Sequence, residues 1–284
     1  MNLGYRITAK ELLAPGIFRL MVEAPRVAAK AQPGHFVIIR TQEGGERVPL
    51  TIVSAQDGQV ELIIQVMGKT TAELATYQVG QEITTLLGPL GVAPQAPAGP
   101  GIMLCVAGGV GAAPILPRAI DLHQKGWQIW TILGARNADL LILEERLAAI
   151  SDRMWICTDD GSKGHKGFVT DLIPEAAQAG IIREVLAIGP TPMMAAVCKV
   201  TKALQLPTTV SLNALMIDGT GMCGACRVQV GSETKFTCID GPEFDGHLVD
   251  FAGLSQRLRQ YLTEEKQAHQ KFAEEGGNCQ CGIE

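Results

Sequence analysis

The first third of the chain consists of short runs in which apolar residues recur between polar ones, each bounded by Gly, Pro or Asp. Runs of this length with turn residues at this spacing are typical of strands in a small antiparallel barrel. The pattern therefore predicts an antiparallel β-barrel over residues 1–97. Its predicted strands are residues 5–9, 17–22, 35–40, 50–54, 59–65 and 82–87.

A joint rich in Pro and Gly, residues 88–101, separates this part from a different pattern. Residues 102–107 form a continuous apolar run, as expected of a strand buried on both faces. Strands and helices then alternate, which implies a parallel, doubly wound α/β sheet over residues 98–212. The predicted strands are 102–107, 128–133, 154–158, 184–188 and 209–212. The predicted helices are one that ends near residue 125 and three that span 140–150, 168–179 and 191–206.

Two further segments follow the sheet. Residues 213–250 contain most of the cysteines that lie among glycines, and residues 251–284 form a polar tail. Within 248–272 the Glu and Lys spacing predicts a solvated helix, and an amphipathic helix that docks on a partner is the alternative.

Composition excludes several classes of protein. The formal net charge of −5 and the pI near 5.6 argue against a general nucleic-acid binder, which has a basic face. No run approaches the eighteen or so apolar residues of a membrane span, and the first residues lack the apolar core of a signal peptide. The sequence therefore predicts a soluble cytoplasmic protein.

The eight cysteines divide by neighbourhood. A reducing cytosol makes structural disulfides unexpected. Cys105, Cys157 and Cys198 sit in apolar runs, which predicts ordinary buried thiols. Cys279 and Cys281 lie in a Gly-rich end segment, where they either touch a partner's cluster or belong to a simple tail, and we favour the tail.

The remaining cysteines suggest an iron–sulfur site. Cys223, Cys226 and Cys238 follow the plant-type [2Fe–2S] spacing of Cys-x4-Cys-x2-Cys and a distant Cys, except that Asp218 occupies the first position. Flexible glycines between them let the backbone fold closely around a metal. The spacing predicts a [2Fe–2S] cluster held by three thiolates and one carboxylate.

Two other interpretations of this loop remain open. Asp218 precedes a glycine, and Asp-Gly commonly marks a solvent-exposed turn. The three cysteines with another ligand could instead hold structural Zn²⁺ tetrahedrally in a protein without enzymatic activity. Zinc loops usually pair two Cys-x-x-Cys units, and this chain has one, so the iron–sulfur prediction is favoured.

The barrel contains two candidate cofactor segments. The first is Arg47-Val-Pro49-Leu50-Thr51. Its arginine can donate two hydrogen bonds to a phosphate. Its proline leaves backbone groups of the strand unpaired and free to meet a flat polar ring. Residues 66–74 run from a strand through a glycine into a helix start, where exposed N–H groups and hydroxyls attract anions. An ordinary turn and an ordinary N-cap are the alternatives.

The parallel sheet contains a glycine turn between its first strand and first helix, Gly108-Gly-Val-Gly-Ala-Ala-Pro114. This order is the phosphate-binding arrangement of nucleotide folds, although Pro114 replaces the last glycine of the full motif, so a turn needed only for close packing is the alternative. Residues 158–167 and 189–194 also follow strands, where ligands bind in such sheets. Arg136, after the second strand, is a candidate neighbour of the adenosine ribose.

In this order the barrel, the sheet and the cysteine loop resemble the ferredoxin reductase-like flavoproteins. The resemblance extends to about residue 255. It is strongest to the group containing the dihydroorotate dehydrogenase B electron-transfer subunit, the sulfide dehydrogenase small subunit and the small subunit of NADH-dependent reduced ferredoxin:NADP oxidoreductase. It rests on the barrel and glycine motifs above, Asp159-Asp-Gly-Ser162 and the cysteine loop through Gly241-Pro-Glu-Phe-Asp245-Gly.

The resemblance implies cofactors and the residues that bind them, and it assigns no catalytic side chain. The implied FAD-binding residues of the barrel are Arg47, Pro49, Leu50, Thr51, Val66, Gly68, Thr70 and Thr71. The implied NAD(H)-binding residues of the sheet are Gly109, Gly111, Ala112, Asp160, Gly189 and Pro190. The implied [2Fe–2S] ligands in residues 213–250 are Asp218, Cys223, Cys226 and Cys238.

Two departures refine the expectation. Many members of the family have a cysteine before the Gly-Pro near the nicotinamide, and here Ile188 stands there, so no thiol role is implied. The dihydroorotate subunit has four cluster cysteines, whereas the aspartate at position 218 resembles the other two members. The resemblance therefore favours an electron-bifurcating oxidoreductase subunit over pyrimidine synthesis.

The expected partner is a larger glutamate synthase-like subunit with flavin and [4Fe–4S] clusters. That subunit would oxidise NADPH, send one electron to ferredoxin and the other through this chain's [2Fe–2S] cluster and FAD to NAD+. The alternatives are a sulfide or polysulfide reductase subunit and the dihydroorotate electron-transfer subunit. In every case a flavin links the two-electron nicotinamide to the one-electron cluster.

Overall fold

The computed structural model describes residues 4–276. Its first part is an antiparallel sheet with the order β6-β1-β2-β5-β4-β3-β7. Two short helices, α1 (Pro25–Ala28) and α2 (Lys69–Thr76), lie among the strands. The strands are β1 (Tyr5–Ala14), β2 (Ile17–Glu23), β3 (Phe36–Arg40), β4 (Val48–Gln56), β5 (Gln59–Gln65), β6 (Glu82–Ile83) and β7 (Thr85–Leu90).

The two edge strands of this sheet are consecutive in the chain. β6 pairs with β1, and β7 pairs with β3 at the opposite edge, with only Thr84 between them. The sheet therefore curls almost into a closed barrel, which removes exposed strand edges. The predicted strand at 82–87 was wrong in one respect, because Thr84 divides it between the two edges.

The second part is a sheet with the order β11-β10-β9-β8-β12-β13-β16. All of its neighbouring strands are parallel except β13 and β16, which are antiparallel. Its strands are β8 (Ile102–Gly108), β9 (Gln128–Ala135), β10 (Arg153–Thr158), β11 (His165–Lys166), β12 (Ile182–Ile188), β13 (Thr208–Ser211) and β16 (Glu243–Asp245). Its helices are α3 (Ala112–Gln124), α4 (Glu144–Ala148), α5 (Val169–Ala179) and α6 (Thr191–Ala203).

The order of this sheet creates a crevice at one edge. β8 lies between β9 and β12, so the chain leaves β8 toward one side and later returns to its other side. Such a switch point leaves a gap beyond the carboxyl ends of the strands, where α/β proteins bind ligands. The apolar residues of β8 are buried, Leu104 and Val106 on one face and Met103 and Cys105 on the other, as the continuous apolar run predicted.

The third part wraps from the parallel sheet back to the barrel. It contains β14 (Arg227–Val230), β15 (Glu233–Phe236), α7 (Thr237–Asp240) and β16 (Glu243–Asp245), and then α8 (Phe251–Leu258) and α9 (Leu262–Glu274). β14 and β15 form a separate hairpin, whereas β16 joins the parallel sheet at its edge. No sequence pattern predicted β16, because three residues are too few to show a period.

Two predicted helices are divided in the structure. The predicted helix at 140–150 begins only at Glu144, because Leu143 has a positive φ of 59° that a right-handed helix cannot contain. The predicted helix at 248–272 is two helices, with Asp250 capping α8 through a hydrogen bond from the Gly253 N–H. Its polar surface is as predicted, since no residue of α9 is buried.

Several single-residue expectations are also settled. Cys105, Cys157 and Cys198 are buried free thiols, as predicted, whereas Cys279 and Cys281 lie outside the described residues. None of the helices within residues 4–276 is long and apolar enough to cross a membrane.

A buried carboxylate joins the barrel to the parallel sheet. Glu61 on β5 accepts two hydrogen bonds from the Arg146 guanidinium on α4, at 2.6 and 3.2 Å, and one from the Ser54 hydroxyl at 2.7 Å. Burial alone would raise the pKa of Glu61. The hydrogen bonds from Arg146 and Ser54, with the charges of Arg146 and Arg19, outweigh burial and hold that pKa below its usual value of 4.5.

We expect Glu61→Gln to lower the free energy of unfolding by about 1.5–3 kcal/mol near neutral pH, because charge-assisted hydrogen bonds are lost. A depressed pKa stabilises the folded chain above the ordinary value of 4.5, and this contribution disappears as the pH falls through the folded value. The free energies of unfolding of the wild-type and Glu61→Gln proteins, measured by urea denaturation, should therefore become equal in acid.

Glu11→Gln is the matched control, because Glu11 forms an exposed ion pair with Arg19. Its loss should cost about 0–1 kcal/mol. Equal losses in the two variants, or a Glu61→Gln loss that persists in acid, would contradict this account.

Candidate functional site

A cleft of about 850 Å³ opens between the barrel and the carboxyl edge of the parallel sheet. Its volume is within the range of cofactor and drug-sized ligand sites. All three parts of the chain contribute walls. The barrel supplies residues of β4 and the start of α2, the sheet supplies two glycine turns, and the third part supplies Met216 and Pro242.

The barrel wall contains half of the predicted FAD-binding residues. Pro49, Leu50, Thr51 and Thr71 line the cleft. They are positioned by β4, whose residues Pro49, Leu50 and Thr51 pair with β3 in register, and by the first turn of α2.

The other predicted FAD-binding residues lie outside the cleft wall. Arg47 Nη1 donates a hydrogen bond to the Ile217 carbonyl, at 3.3 Å. The Val66 N–H donates to Gly16 in the barrel. The Thr70 hydroxyl donates to the Glu46 carboxylate at 2.7 Å. These groups hold the rim of the barrel, so sequence spacing alone did not separate wall residues from supporting ones.

The start of α2 is capped by its own side chain. The Thr71 hydroxyl accepts hydrogen bonds from the N–H groups of Met67 and Gly68, at 2.9 and 3.0 Å. A Cβ at Gly68 would meet no atom within 4 Å, so the backbone there faces open space. A ligand can therefore approach this backbone closely, as a phosphate at a helix start requires.

Gly109 and Gly111, in the turn after β8, are glycines for two different reasons. A Cβ at Gly111 would overlap the Ile188 carbonyl oxygen, so only glycine lets the turn lie against the end of β12. Gly109 has a positive φ of 54°, and a Cβ there would meet nothing. Both residues line the cleft together with Gly189 and Pro190 from the next turn.

Two other predicted nucleotide-binding residues do not line the cleft. Ala112 is completely buried at the start of α3. Asp160 accepts hydrogen bonds from the Ser162 hydroxyl at 2.6 Å and N–H at 2.9 Å, and these lower the pKa of the Asp160 carboxyl. Asp159 lines the cleft instead, as does Arg136. Asp160 thus forms part of a turn through Ser162, and its neighbour Asp159 lines the cleft.

Several lining residues were not predicted from the sequence, and Phe168 and Cys157 are two of them. Phe168 borders the cleft although 63 % of it is exposed, and a large exposed ring beside a cleft offers a flat apolar surface. Cys157 lines the cleft from the end of β10, and burial raises the pKa of its thiol to about 11. The exposure of Phe168 could not be found from sequence, because it depends on where the loop before α5 lies.

The structure brings together one pair of the four predicted metal ligands. The sulfur atoms of Cys226 and Cys238 are 3.3 Å apart and buried. Cys223 is exposed, and its sulfur accepts a hydrogen bond from the Ala225 N–H at 3.5 Å. Within the described residues, no three His, Cys, Asp or Glu side chains meet in a group that could hold a metal ion.

Asp218 accounts for part of this arrangement. Its carboxylate accepts hydrogen bonds from the N–H groups of Thr220, at 2.9 Å, and Cys223, at 2.7 Å. These bonds lower the pKa of the Asp218 carboxyl. In this conformation Asp218 shapes the turn that precedes Cys223, which is the alternative that Asp-Gly sequences suggest.

The donor chemistry of the loop nevertheless fits an iron–sulfur group. Two thiols and a carboxylate lie in one glycine-rich loop, in which Gly221 and Gly224 have positive φ angles of 83° and 68°, and the third thiol, Cys238, comes from α7 and lies beside Cys226. Burial and the neighbouring Cys226 raise the pKa of the Cys238 thiol to about 12. Metal binding deprotonates such thiols, so a cation held by this sulfur pair would displace their protons.

The loop is attached firmly to its surroundings. A Cβ at Gly219 would lie 2.6 Å from Ile38 and 2.7 Å from Leu90, both in the barrel. The Thr237 hydroxyl donates to the Cys226 carbonyl at 2.9 Å, and Arg257 on α8 donates to the Ala225 carbonyl at 2.8 Å. The cysteine loop is therefore held directly against the barrel.

Comparison with family models supports both halves of this site. Residues 213–250 match the model described as the iron–sulfur cluster binding domain of dihydroorotate dehydrogenase B. Residues 105–199 match the oxidoreductase NAD-binding domain.

Individual relatives agree with these matches. A dihydroorotate dehydrogenase B electron transfer subunit homolog from Thermotoga maritima is 42% identical over 95% of this chain and 96% of its own length. The electron transfer subunit from Geobacillus thermodenitrificans is 35% identical over 84% and 94%. A chain in a solved structure of NADH-dependent reduced ferredoxin-NADP oxidoreductase superposes with a TM-score of 0.90 and 40% identity, over 96% of this chain and 99% of that one.

Proposed function

The chain belongs to the family of dihydroorotate dehydrogenase B electron-transfer subunits and their homologues, and we propose that it passes electrons between NAD(H) and a larger partner subunit. It is a flavin-dependent oxidoreductase subunit of the ferredoxin reductase-like fold. Its cofactors are FAD, NAD(H) and a [2Fe–2S] cluster.

One observation supports this function above the others. A single cleft is walled by barrel residues, by the glycine turns of the nucleotide sheet and by residues of the cysteine segment. FAD supplies the conversion between the two-electron chemistry of a nicotinamide and the one-electron chemistry of a cluster. The contribution of the chain is to hold these groups near one another, and the cleft has walls suited to the flavin and to the nicotinamide.

The barrel wall is suited to the flavin. We propose that the Pro49–Thr51 backbone of β4 holds the isoalloxazine ring and that Gly68 with the first turn of α2 takes the pyrophosphate. Arg47, Val66 and Thr70 then act by supporting the rim, since their polar groups bond to other parts of the protein.

The sheet wall is suited to the dinucleotide. Gly109 and Gly111 leave backbone N–H groups accessible at the start of α3, where a helix favours phosphate. Gly189 and Pro190 face them across the switch point. We propose that Asp159 and Arg136, which line the same cleft, border the adenosine end of NAD(H).

We propose that the complex is electron-bifurcating and that the partner is a glutamate synthase-like subunit with flavin and [4Fe–4S] clusters. Two NADPH oxidations at that partner would send two electrons to ferredoxin and two to this chain, which reduce one NAD+. The high similarity to a chain of NADH-dependent reduced ferredoxin-NADP oxidoreductase over nearly the full length of both supports this. The names of several relatives favour a dihydroorotate dehydrogenase partner instead.

Anaerobic affinity purification of the full chain from its own host distinguishes the two partners. Co-purification of a large iron–sulfur flavoprotein that oxidises NADPH only when ferredoxin and NAD+ are both present would support bifurcation. Co-purification of a dihydroorotate dehydrogenase would overturn it.

We also propose that Asp218 is the fourth cluster ligand, because it lies at the first position of the [2Fe–2S] spacing and contacts the Cys223 backbone. Asp218→Ala should reduce iron content and change the EPR spectrum of the reduced cluster, since a ligand is lost. Asp218→Cys should retain the cluster with a shifted potential.

Asp240→Ala is the matched control, because Asp240 also accepts a hydrogen bond from a backbone N–H in this segment, that of Phe236. It should leave the EPR spectrum unchanged. If Asp218→Ala also left iron content and the spectrum unchanged, Asp218 would be a turn residue and not a ligand.

A further inference from the structure

Arg118 and Glu243 form a bidentate ion pair in the interior of the molecule. Arg118 Nε lies 2.8 Å from Glu243 Oε1, and its Nη2 lies 3.3 Å from Oε2. A second carboxylate, Asp121, lies 3.4 Å from Arg118 Nη1. The paired side chains are only 4% and 7% exposed. Because an unpaired charge in such a place is strongly unfavourable, each side chain depends on the other.

The pair connects two functional parts of the protein. Arg118 lies on α3, the helix that begins at the phosphate-type glycine turn. Glu243 is the first residue of β16 and follows Cys238 by five positions. The Arg118 side chain also passes the barrel, since a Cβ at Gly34 would lie 3.5 Å from its Cδ. The ion pair therefore lies where all three parts of the chain meet.

Residues 241–243, which we call the cluster strap, are fixed on several sides. The Val92 N–H donates to the Gly241 carbonyl at 2.7 Å, and the Leu212 N–H donates to the Pro242 carbonyl at 2.9 Å. These bonds tie the strap to the interdomain joint and to the parallel sheet. Its one side-chain attachment among the described hydrogen bonds is the ion pair with Arg118.

The cluster strap also connects the cleft with the cysteine loop. Pro242 lines the cleft, and Cys238 lies on the short helix α7, which ends directly before the strap. A shift of the strap therefore moves a cleft wall and a thiol together. Electron transfer slows steeply as two redox groups move apart, so the place of Cys238 relative to the cleft matters for the proposed function.

We propose that Arg118 is a positioning residue for electron transfer: by latching Glu243 to α3, it holds the cluster strap, and with it Cys238, at a fixed place beside the cleft. This rests on the proposed function, because it assumes redox groups in the cleft and at the cysteine loop. Arg118 is not among the residues that line the cleft. It acts through Glu243.

The test compares Arg118→Met with the wild-type protein, both purified anaerobically with flavin and cluster bound. Rapid mixing with NADH separates flavin bleaching from the later cluster reduction. We expect flavin bleaching to stay within about twofold and cluster reduction to slow by about tenfold or more, as misplacement costs in other reactions indicate. Hydrogen exchange at residues 237–246 should accelerate by about tenfold, because the strap opens locally.

Arg146→Met is the matched control. Arg146 forms the other bidentate pair between parts of the chain, with Glu61, and it joins barrel to sheet without touching the cysteine segment. In Arg146→Met, hydrogen exchange should accelerate near β5 and α4, and cluster reduction should remain at the wild-type rate. If Arg118→Met does not fold, Arg118→Lys and Glu243→Gln replace it, since a lysine keeps the charge but not the bidentate geometry.

The outcomes are distinct. Faster hydrogen exchange confined to the cluster strap, together with slower cluster reduction, supports the proposal. Exchange that rises evenly throughout Arg118→Met, or a kinetic profile like that of Arg146→Met, would show a general stabilising role and overturn it. Wild-type protein without NADH-reducible flavin or cluster would instead refute the proposed function, whatever the exchange pattern.

Discussion

Replacing Cys238 by Ser is expected to abolish the iron–sulfur cluster while leaving the flavin reducible by NADH. Cys238 is buried, and its sulfur lies 3.3 Å from that of Cys226, so it is central to the predicted ligand set. Serine is a poor ligand for iron where a thiolate is required. Iron content, the EPR signal of the reduced protein and electron delivery to the partner should all be lost.

A control must show that iron is lost because a ligand is removed and not because the protein misfolds. Cys198→Ser is the matched control, because Cys198 is also a buried free thiol, lies on α6 and is not a predicted ligand. It should cost some stability, on the order of 1–3 kcal/mol for burying an unpaired hydroxyl, yet retain iron. An iron-replete Cys238→Ser protein, or equal iron loss in both variants, would contradict the ligand assignment.

Replacing Gly111 by Ala is expected to weaken NADH binding more than replacing Gly109 by Ala. The added Cβ would overlap the Ile188 carbonyl, so the glycine turn and the end of β12 must separate at the cleft wall. Overpacking of this kind costs about 1–3 kcal/mol or more. Since every 1.4 kcal/mol is tenfold in affinity, the dissociation constant for NADH should rise by about tenfold to a hundredfold.

Gly109→Ala tests the reason for this effect. A Cβ at Gly109 meets no atom within 4 Å, and only its φ of 54° opposes a side chain. The expected cost is about 1–2 kcal/mol, with a smaller change in NADH affinity. Isothermal titration with NADH checks both variants, and a Gly109→Ala defect equal to or larger than that of Gly111→Ala would contradict the packing explanation.

Local sequence patterns predicted most of the fold. The apolar run before Gly108 and the alternation after it led to a parallel, doubly wound sheet, and the turn residues of the first third led to a barrel. These features depend on neighbours within a few positions. β16 could not be predicted, because it joins the sheet through partners distant in the chain and is only three residues long.

The site was predicted less completely, for the same reason. Glycine turns are visible in a sequence, and Gly109 and Gly111, which were predicted from one, line the cleft. Whether Asp159 or Asp160 faces the ligand depends on which carboxylate is used by Ser162, and spacing does not show this. The pairing of Arg118 with Glu243 joins residues far apart in sequence, so only the fold reveals it.

The most direct test of the proposed electron path is an anaerobic titration of the purified chain with NADH, followed by visible absorbance and EPR. We predict about one flavin and two irons per chain, as one [2Fe–2S] cluster requires. NADH should bleach the flavin and produce the EPR signal of a reduced [2Fe–2S] cluster. A colourless protein with one zinc per chain and no response to NADH would contradict the account.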